Sequence, residues 1–334
     1  MKGQPLTLRQ ARHHLAIYWF LLPCVLFIGT FMYYPVVNGV YHSFFVWNGG
    51  DVERFVGFQG YAKLITEDPD HKFWKAFSNA FILGLANILK MAPSILAAVC
   101  LHRVRSERMQ FIYRVGFVVP MIVSQMVVVL LWKAFYEPTS GVLNTLLNAS
   151  GAMNVLVHFS SAAASIGRVI DVGGFFTWFG NLFIQGQNPA WLGMPKFTYL
   201  AVILWGFPWV GSFGVLLYYT CLQSIGKDIY EAAEVDGAGW FTKFRHIELP
   251  LILKQVRVMM ILVIMGSIND AGTIMVLCGI QGGPGGVVDV PALFMFREAF
   301  QAQRMGFACG IGVVLFLIIL MMTKVNEYLI KPAD

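Results

Sequence analysis

The sequence predicts an all-α integral membrane protein with six transmembrane helices. Three observations carry that expectation. Of 334 residues, 57% are hydrophobic and 13% charged, where roughly a quarter charged is usual for soluble domains, and mean hydropathy is +0.65. Six segments reach the roughly 20 mainly apolar residues that a spanning helix needs. Lys and Arg crowd alternate connections, as in a chain threaded back and forth through a bilayer.

Residues 1–15 read as a polar tail carrying Arg9, Arg12, His13 and His14. The first apolar segment, Ala16–Tyr41, exceeds the core of a signal peptide and no small-x-small cleavage site follows it, so it reads as a retained span. The others are Phe77–Leu101, Gly116–Phe135, Phe197–Leu222, Val256–Leu277 and Gly306–Thr323. Together they give a membrane domain over 16–325 and a second short tail, 326–334. An even number of spans puts both termini on one side. Basic residues fill the N-terminal tail, the 103–114 connector (Arg103, Arg105, Arg108, Arg114), the 223–255 stretch and the C-terminal end, whereas 137–196 holds only Arg168 and Lys196. Both termini are therefore expected in the cytoplasm. The formal charge of +6 reads as orientation, and no nucleic-acid partner is expected. Cys24, Cys100, Cys221, Cys278 and Cys309 fall in or beside apolar segments without paired spacing, and read as small buried hydrophobes.

The 137–196 connection, expected outside, is long. Within it Phe175, Phe176, Phe179, Leu182 and Phe183 fall on one helical face. That pattern suits an interfacial helix at the outer surface, a lid, or an insertion packed on its own protein.

The stretch 225–250 is the most ordered polar island. Ile225, Ile229 and Ala233 recur every four residues and share a helical face, while Asp228, Glu231 and Glu234 lie off it. Gly237 and Gly239 stop this helix. A second amphipathic turn carries Trp240, Phe241, Phe244 and Ile247, and Pro250 stands in the first turn of the next apolar segment, where a missing N–H does no harm.

This stretch resembles the EAA loop of ABC-importer permeases. Glu231, Ala232 and Ala233, then Gly237, then Ile247, Leu249 and Pro250 hold that loop's spacing, and Asp236 with Ala238 extends the match toward the carbohydrate branch. The similarity runs from about Leu22 to Val325. Leu22-Pro23, Tyr34-Pro35, Ser43-Phe44 and Trp47 look like the opening helix of maltose-transporter-type permeases, and Phe55 to Phe58 with Tyr61 like its short external strand. Phe111, Tyr113, Arg114, Pro120 and Ser124 resemble the start of the third helix. Gly282-Gly283-Pro284, Arg297 to Phe300 and Met305-Gly306 resemble the last external loop. Two departures stand out: the stretch between Gly151 and Pro189 exceeds the family's usual passage from a GxxN element (Gly141, Asn144) to a WL pair (Trp191, Leu192), and Val287-Val288-Asp289 replaces small polar residues.

The resemblance implies a type I ABC-importer permease fold in a bacterial or archaeal cytoplasmic (inner) membrane, and a first-permease subunit in a heterodimer with a second, related permease. It implies two ATPase subunits seated on the loop and a periplasmic or extracellular solute-binding protein. Cargo would be a sugar, polyol or glycerophosphate-type solute. Glu231 and Asp236 would touch the ATPase, and Ala232, Ala233 and Gly237 would stay small so that the helix seats.

This chain shows no nucleotide-binding loop of its own: Gly226-Lys227 is followed by Asp228, and Cys221 stands where a Walker loop needs glycine. Gly282 to Gly286 lacks the Lys-Ser/Thr pair and reads as a flexible external turn. No HExxH, GxSxG or His/Cys cluster supports an enzyme. ATP and Mg²⁺ would be used by the partner ATPase, with no cofactor or metal held here. Candidate lining of a solute path is Asn87, Lys90, Ser124, Gln125, Trp205, Trp209, Asn269 and Asp270. Pro208 kinks the fourth span between two tryptophans whose faces suit sugar rings or ordinary packing. Lys90 and Asp270, expensive in lipid, are expected to face protein or water and to pair across the bundle. The competing reading is an ATP-independent secondary transporter or channel, which needs an ion-coupling set that these two residues alone scarcely supply. A membrane-bound lipid or glycan enzyme would need a polar cluster that is not visible.

Overall fold

Proline decides where the long apolar helices loosen. Within a helix it lacks an N–H and its ring crowds the carbonyl four residues back. Twice the chain answers with a π turn just ahead. Gly29–Tyr33 precedes Pro35, with the Tyr34 N–H donating to Gly29 O, and Phe244–Glu248 precedes Pro250, with the Leu249 N–H donating to Phe244 O. The wider turn moves the crowded carbonyl aside and the helix continues.

The computed structural model describes residues 8–66, 72–168, 179–180, 182–184 and 186–329, and the chain forms two units, Met1–Asp68 with Arg297–Val314 and Pro69–Phe296 with Leu315–Asp334. In the first, α1 (Leu8–Ile28) passes through its π turn into α2 (Tyr34–His42), and a hairpin of β1 (Phe45–Trp47) and β2 (Val52–Phe55) leads to α3 (Gln59–Thr66). The hairpin pairs Phe45 with Phe55 and Val46 with Arg54, with a bulge after Val46. Ser43 ties its base to α3 through Tyr61 Oη at 2.6 Å. Gly306 approaches the Phe45 carbonyl so closely that any Cβ would collide with it.

The second unit contains α4 (Lys72–Leu89), α5 (Met91–His102), α6 (Glu107–Ile122), α7 (Gln125–Phe135), α8 (Val142–Ala149) and α9 (Ala152–Gly167). It continues with α10 (Pro195–Leu204), α11 (Ser212–Gln223), α12 (Lys227–Val235), α13 (Trp240–Lys243), α14 (Leu249–Asn269) and α15 (Ala271–Cys278). Helices α16 (Pro291–Phe300) and α17 (Met305–Leu329) complete the chain. Small residues bring helices close: Ala98 and Val99 of α5 pack on Val215, Tyr218 and Leu222 of α11 and Ile252 of α14, and a Cβ on Gly214 would lie 3.5 Å from Ser94 Cβ. Between spans, dispersion packing of this kind replaces the hydrophobic effect.

Several sequence expectations change here. Among the described residues four helices are long and apolar enough to cross a membrane, or five if the pair α6–α7, bent by 86°, counts as one span. The third and fifth spans, expected to be continuous, are interrupted at Val123–Ser124 and at Asp270, and the fourth, expected to kink at Pro208, breaks over Trp205–Gly211. The expected separation of the loop from the fifth span is absent, because the π turn lets Trp240–Asn269 run as one helix of 30 residues. None of the five cysteines is disulfide-bonded, yet none is buried, and Cys24 and Cys100 lie exposed on the isolated chain. Gly282 to Gly286 is a packed turn, not a loose one: Val288 N–H donates to Gly282 O at 3.0 Å, a Cβ on Gly282 would sit 2.6 Å from Asp289 Cα, and Val288 and Val290 are buried beside Leu83 and Ile274.

In the long 137–196 connection, Asn144 is the knot. Its amide donates to Pro138 O at 3.0 Å and Pro189 O at 3.1 Å, and its carbonyl accepts from Trp191 Nε1 at 2.8 Å. The extra residues thus leave and return at one hydrogen-bonded point. Leu182 and Phe183 are buried with Tyr136, Met153 and Phe197, which is the packed-insertion alternative for those two; Phe175 and Phe176 lie outside the described residues.

Candidate coupling turn and solute cavity

Helix α12 ends in a complete Schellman motif. Gly237 N–H donates to Glu234 O at 3.0 Å and Ala238 N–H to Ala233 O at 2.8 Å, with Gly237 in the left-handed region at φ 72°. That conformation is glycine's at no steric cost, and nothing lies within 4 Å of where its Cβ would be. Lys243 of α13 reaches back to Glu234 at 2.7 Å, and its hydrogen bond and charge hold the Glu234 carboxyl below the usual range. Glu231, Ala232, Asp236 and Gly237 are exposed, while Ala233, Ala238, Ile247, Leu249 and Pro250 are half-buried. The apolar side chains of Ile229, Val235, Trp240 and Phe241 also stand exposed, Val235 to 89%.

What holds this turn from behind is an ion pair the sequence did not reveal. Glu248 is 0% exposed. Arg103, in the connector after α5, places Nη2 2.8 Å from both Glu248 oxygens and Nε 3.2 Å from Oε1. The guanidinium also lies 4.7 Å from the centre of the Trp240 ring. Tyr230 Oη donates to Glu248 Oε1 at 3.5 Å, and burial, then the nearby Glu248 charge, pushes the phenol up to about 12. A planar fork on a carboxylate fixes orientation as well as distance.

The second site is a cavity of about 570 Å³. Seven of the eight residues expected on a solute path line it: Asn87, Lys90, Gln125, Trp205, Trp209, Asn269 and Asp270; Ser124 does not. The helix interruptions explain the convergence. Lys90 sits at the α4–α5 junction, Gln125 opens α7 after the bend, Trp205–Gly211 is the gap between α10 and α11, and Asp270 separates α14 from α15. At membrane depth, non-helical backbone is tolerated where protein or a water-filled space satisfies its polar groups. Ser94 does this directly, accepting Gly211 N–H at 2.8 Å and donating to Trp209 O at 3.3 Å. Trp209 itself is left-handed, φ 59°. Asp270 Oδ1 caps α15 by accepting Thr273 N–H at 3.0 Å, Asn87 donates to Ser267 Oγ at 3.1 Å, and Gln125 to Thr273 Oγ1 at 3.4 Å. The expected Lys90–Asp270 pair is not formed. Lys90 Nζ donates to Val202 O at 3.4 Å, a last-turn carbonyl lacking a helical partner, and lies 5.9 Å from the Trp209 ring centre.

Ser94, Tyr218 and Ser267 also line the cavity and were not anticipated. Ser94 follows Lys90 by four residues and Ser267 precedes Asp270 by three, so helical spacing from the two charges would have found both.

Residues 91–329 match the family described as binding-protein-dependent transport system inner membrane component. The chain belongs to that family. It is an integral membrane permease subunit of a binding-protein-dependent importer. A probable ABC transporter permease of Bacillus subtilis (strain 168), YurN, is 28% identical over 317 residues, covering 94% of this chain and 95% of that protein. The arabinooligosaccharides transport system permease AraP of Halalkalibacterium halodurans is 25% identical over 93% of this chain and 86% of its own length. The fold matches the crystal structure of a bacterial alginate ABC transporter in complex with an alginate pentasaccharide-bound periplasmic protein, with a TM-score of 0.73, 19% identity, and coverage of 96% of this chain and 95% of that one.

Proposed function

We propose that this permease pairs with a second, related permease, that two ATPase subunits dock on the 225–250 turn, and that a soluble binding protein delivers a sugar, polyol or glycerophosphate-type solute to the outer face. In this reading the chain has six spans with both termini cytoplasmic. ATP and Mg²⁺ stay with the ATPases. ATP binding closes those subunits, the α12 helix carries the motion inward, and the cavity at the interrupted helices turns outward to receive the solute.

The observation that carries the reading is the built turn at Gly237. It is anchored from behind by a buried ion pair and exposes both small and apolar residues outward. A helix tied so firmly on one side and bare on the other suits transmission of force from a partner. Sugar transport is supported by the relatives' roles and by the two tryptophans on the cavity wall.

Co-purification of the cognate ATPase with wild type and with Gly237→Asp tests this. The space around Gly237 is open and aspartate enters the left-handed region at less cost than most side chains, so the substitution weighs chiefly on the partner. Retention by wild type and loss by the variant is expected. No association with wild type, or equal association with both, refutes the coupling assignment and turns attention to the ATP-independent alternative.

A further inference from the structure

We infer that the solute taken by this cavity is an anionic saccharide, and that Lys90 is the residue that meets its charge. The inference rests on the importer reading above and narrows its cargo.

The first observation is an ammonium without a counter-ion. Among the described residues no carboxylate lies within ion-pair distance of Lys90, whose neighbours are the Val202 carbonyl and the Trp209 ring. A charge held at membrane depth is costly unless it is compensated. The other charge on the wall, Asp270, is already engaged: it accepts the Thr273 N–H and stands at the positive N-terminal end of α15.

The second observation is independent of charge. The indole N–H groups of Trp205 and Trp209 and the hydroxyl of Tyr218 are buried without a hydrogen-bond partner, and all three residues line the cavity. An indole N–H can only donate, and an ammonium only donates. The buried, unpartnered polar atoms on the wall are therefore all ones able to donate, and they stand beside the ammonium. A neutral sugar presents hydroxyls that donate as often as they accept, whereas a carboxylate or sulfonate presents acceptors alone. The aromatic faces of Trp205 and Trp209 supply a platform for the ring that carries it.

The test uses the whole importer in proteoliposomes, with its second permease, ATPase and binding protein. ATP-driven uptake is measured for two matched pairs, digalacturonate against galactobiose and a methyl 6-sulfo-glucoside against methyl glucoside, so that carboxylate and sulfonate are told apart. The binding protein is common to all variants, so a change in preference between members of a pair belongs to the permease. Wild type should import the anionic member of at least one pair about tenfold faster or more, the scale of one charge-assisted contact. Lys90→Gln should lower that preference about tenfold and Lys90→Arg should keep it. If Lys90→Gln does not assemble, Trp209→Phe, which keeps the ring and removes the N–H, should lower the preference severalfold. Equal or faster import of the neutral members, a preference unmoved by these variants, or no import of any of the four overturns the inference. Neutral import with the ATPase bound leaves the importer reading standing, while a wild-type complex that holds no ATPase overturns that reading too.

Discussion

Arg103 and Glu248, 145 residues apart in sequence, meet in a two-oxygen fork with Glu248 wholly out of solvent. The pair joins the connector after α5 to the π turn that ends the coupling segment. Trp240 covers the guanidinium and Tyr230 approaches the carboxylate from α12, so both halves of the coupling turn are referenced to one ion pair. In the proposed coupling, motion imposed on α12 would reach α5 through this pair, and the other end of α5 is Lys90 and the cavity.

A buried pair is weak evidence for net stability but strong evidence for position, because removing one partner strands a charge. Arg103→Ala or Glu248→Ala is expected to destabilise the protein by about 3–5 kcal/mol. The double substitution Arg103→Met with Glu248→Leu should melt closer to wild type than either single variant, yet lose solute-stimulated ATP hydrolysis in the assembled importer. Thermal unfolding alongside ATPase assays checks both halves. Full coupling in the double variant would show the pair to be structural only.

Gly237 sits where an L side chain is strained, in open space. Asn visits the left-handed region readily and a β-branched residue does not. Gly237→Asn should therefore melt within a few tenths of a kcal/mol of wild type, and Gly237→Val should lose about 1–2 kcal/mol. A Gly237→Val protein as stable as wild type in thermal unfolding would mean that the helix does not end in this motif.

Much of this was legible in sequence, and the rest failed for identifiable reasons. Hydropathy located the apolar stretches, and glycine and proline located the coupling turn, because those signals are local. Five of the seven cavity residues were picked out because polar groups inside apolar runs are conspicuous, and the two tryptophans because they flank Pro208, not because their meeting was foreseen. The interruptions at Ser124 and Asp270 were read as continuous spans: the cap that Asp270 gives Thr273 N–H is local but not distinctive in an apolar run, while the compensation by Ser94 at the Trp205–Gly211 gap comes from tertiary contact. Glu248 passed as one polar residue in a loop; only its distant partner makes it buried. Gly282 to Gly286 looked loose because the packing of Asp289 against Gly282 is invisible in composition.

The Glu234–Lys243 contact carries a pH signature. Glu234's folded pKa lies below its ordinary value of 4.5, so the contribution is present above that value and is lost as pH falls through the folded pKa. The exposure of Glu234 makes it small and salt-sensitive. Melting curves of wild type and Lys243→Met should differ at neutral pH and merge in acid; a gap that widens in acid would contradict the assignment.

Lys90 and Asp270 share a cavity without sharing a hydrogen bond. Exchanging their charges, Lys90→Asp with Asp270→Lys, should therefore fail to restore uptake lost in either single variant, since Asp270 is needed as the cap of α15 and lysine cannot accept the Thr273 N–H. Asp270→Asn, which keeps an accepting oxygen, should retain more uptake and stability than Asp270→Lys. Rescue by the exchange, measured as solute uptake, would show that the two charges pair in a working state.

Asn144 makes the sharpest stability prediction because every atom of its amide is used. Replacing it with Ala removes two donors and one acceptor at a site that is 1% exposed, leaving the Trp191 indole N–H and the carbonyls of Pro138 and Pro189 short of partners. Each of the three stranded groups costs about 1–3 kcal/mol, so a total loss of at least about 3 kcal/mol is expected. Asp at this position keeps the acceptor for Trp191 but sets a carboxylate against two carbonyls, and should be no better than Ala. The loss should concentrate in the long connection: limited proteolysis between residues 150 and 190 should quicken in Asn144→Ala while cleavage elsewhere keeps its wild-type rate. Uniform acceleration along the chain would mean that the knot supports the whole membrane unit, not the insertion alone.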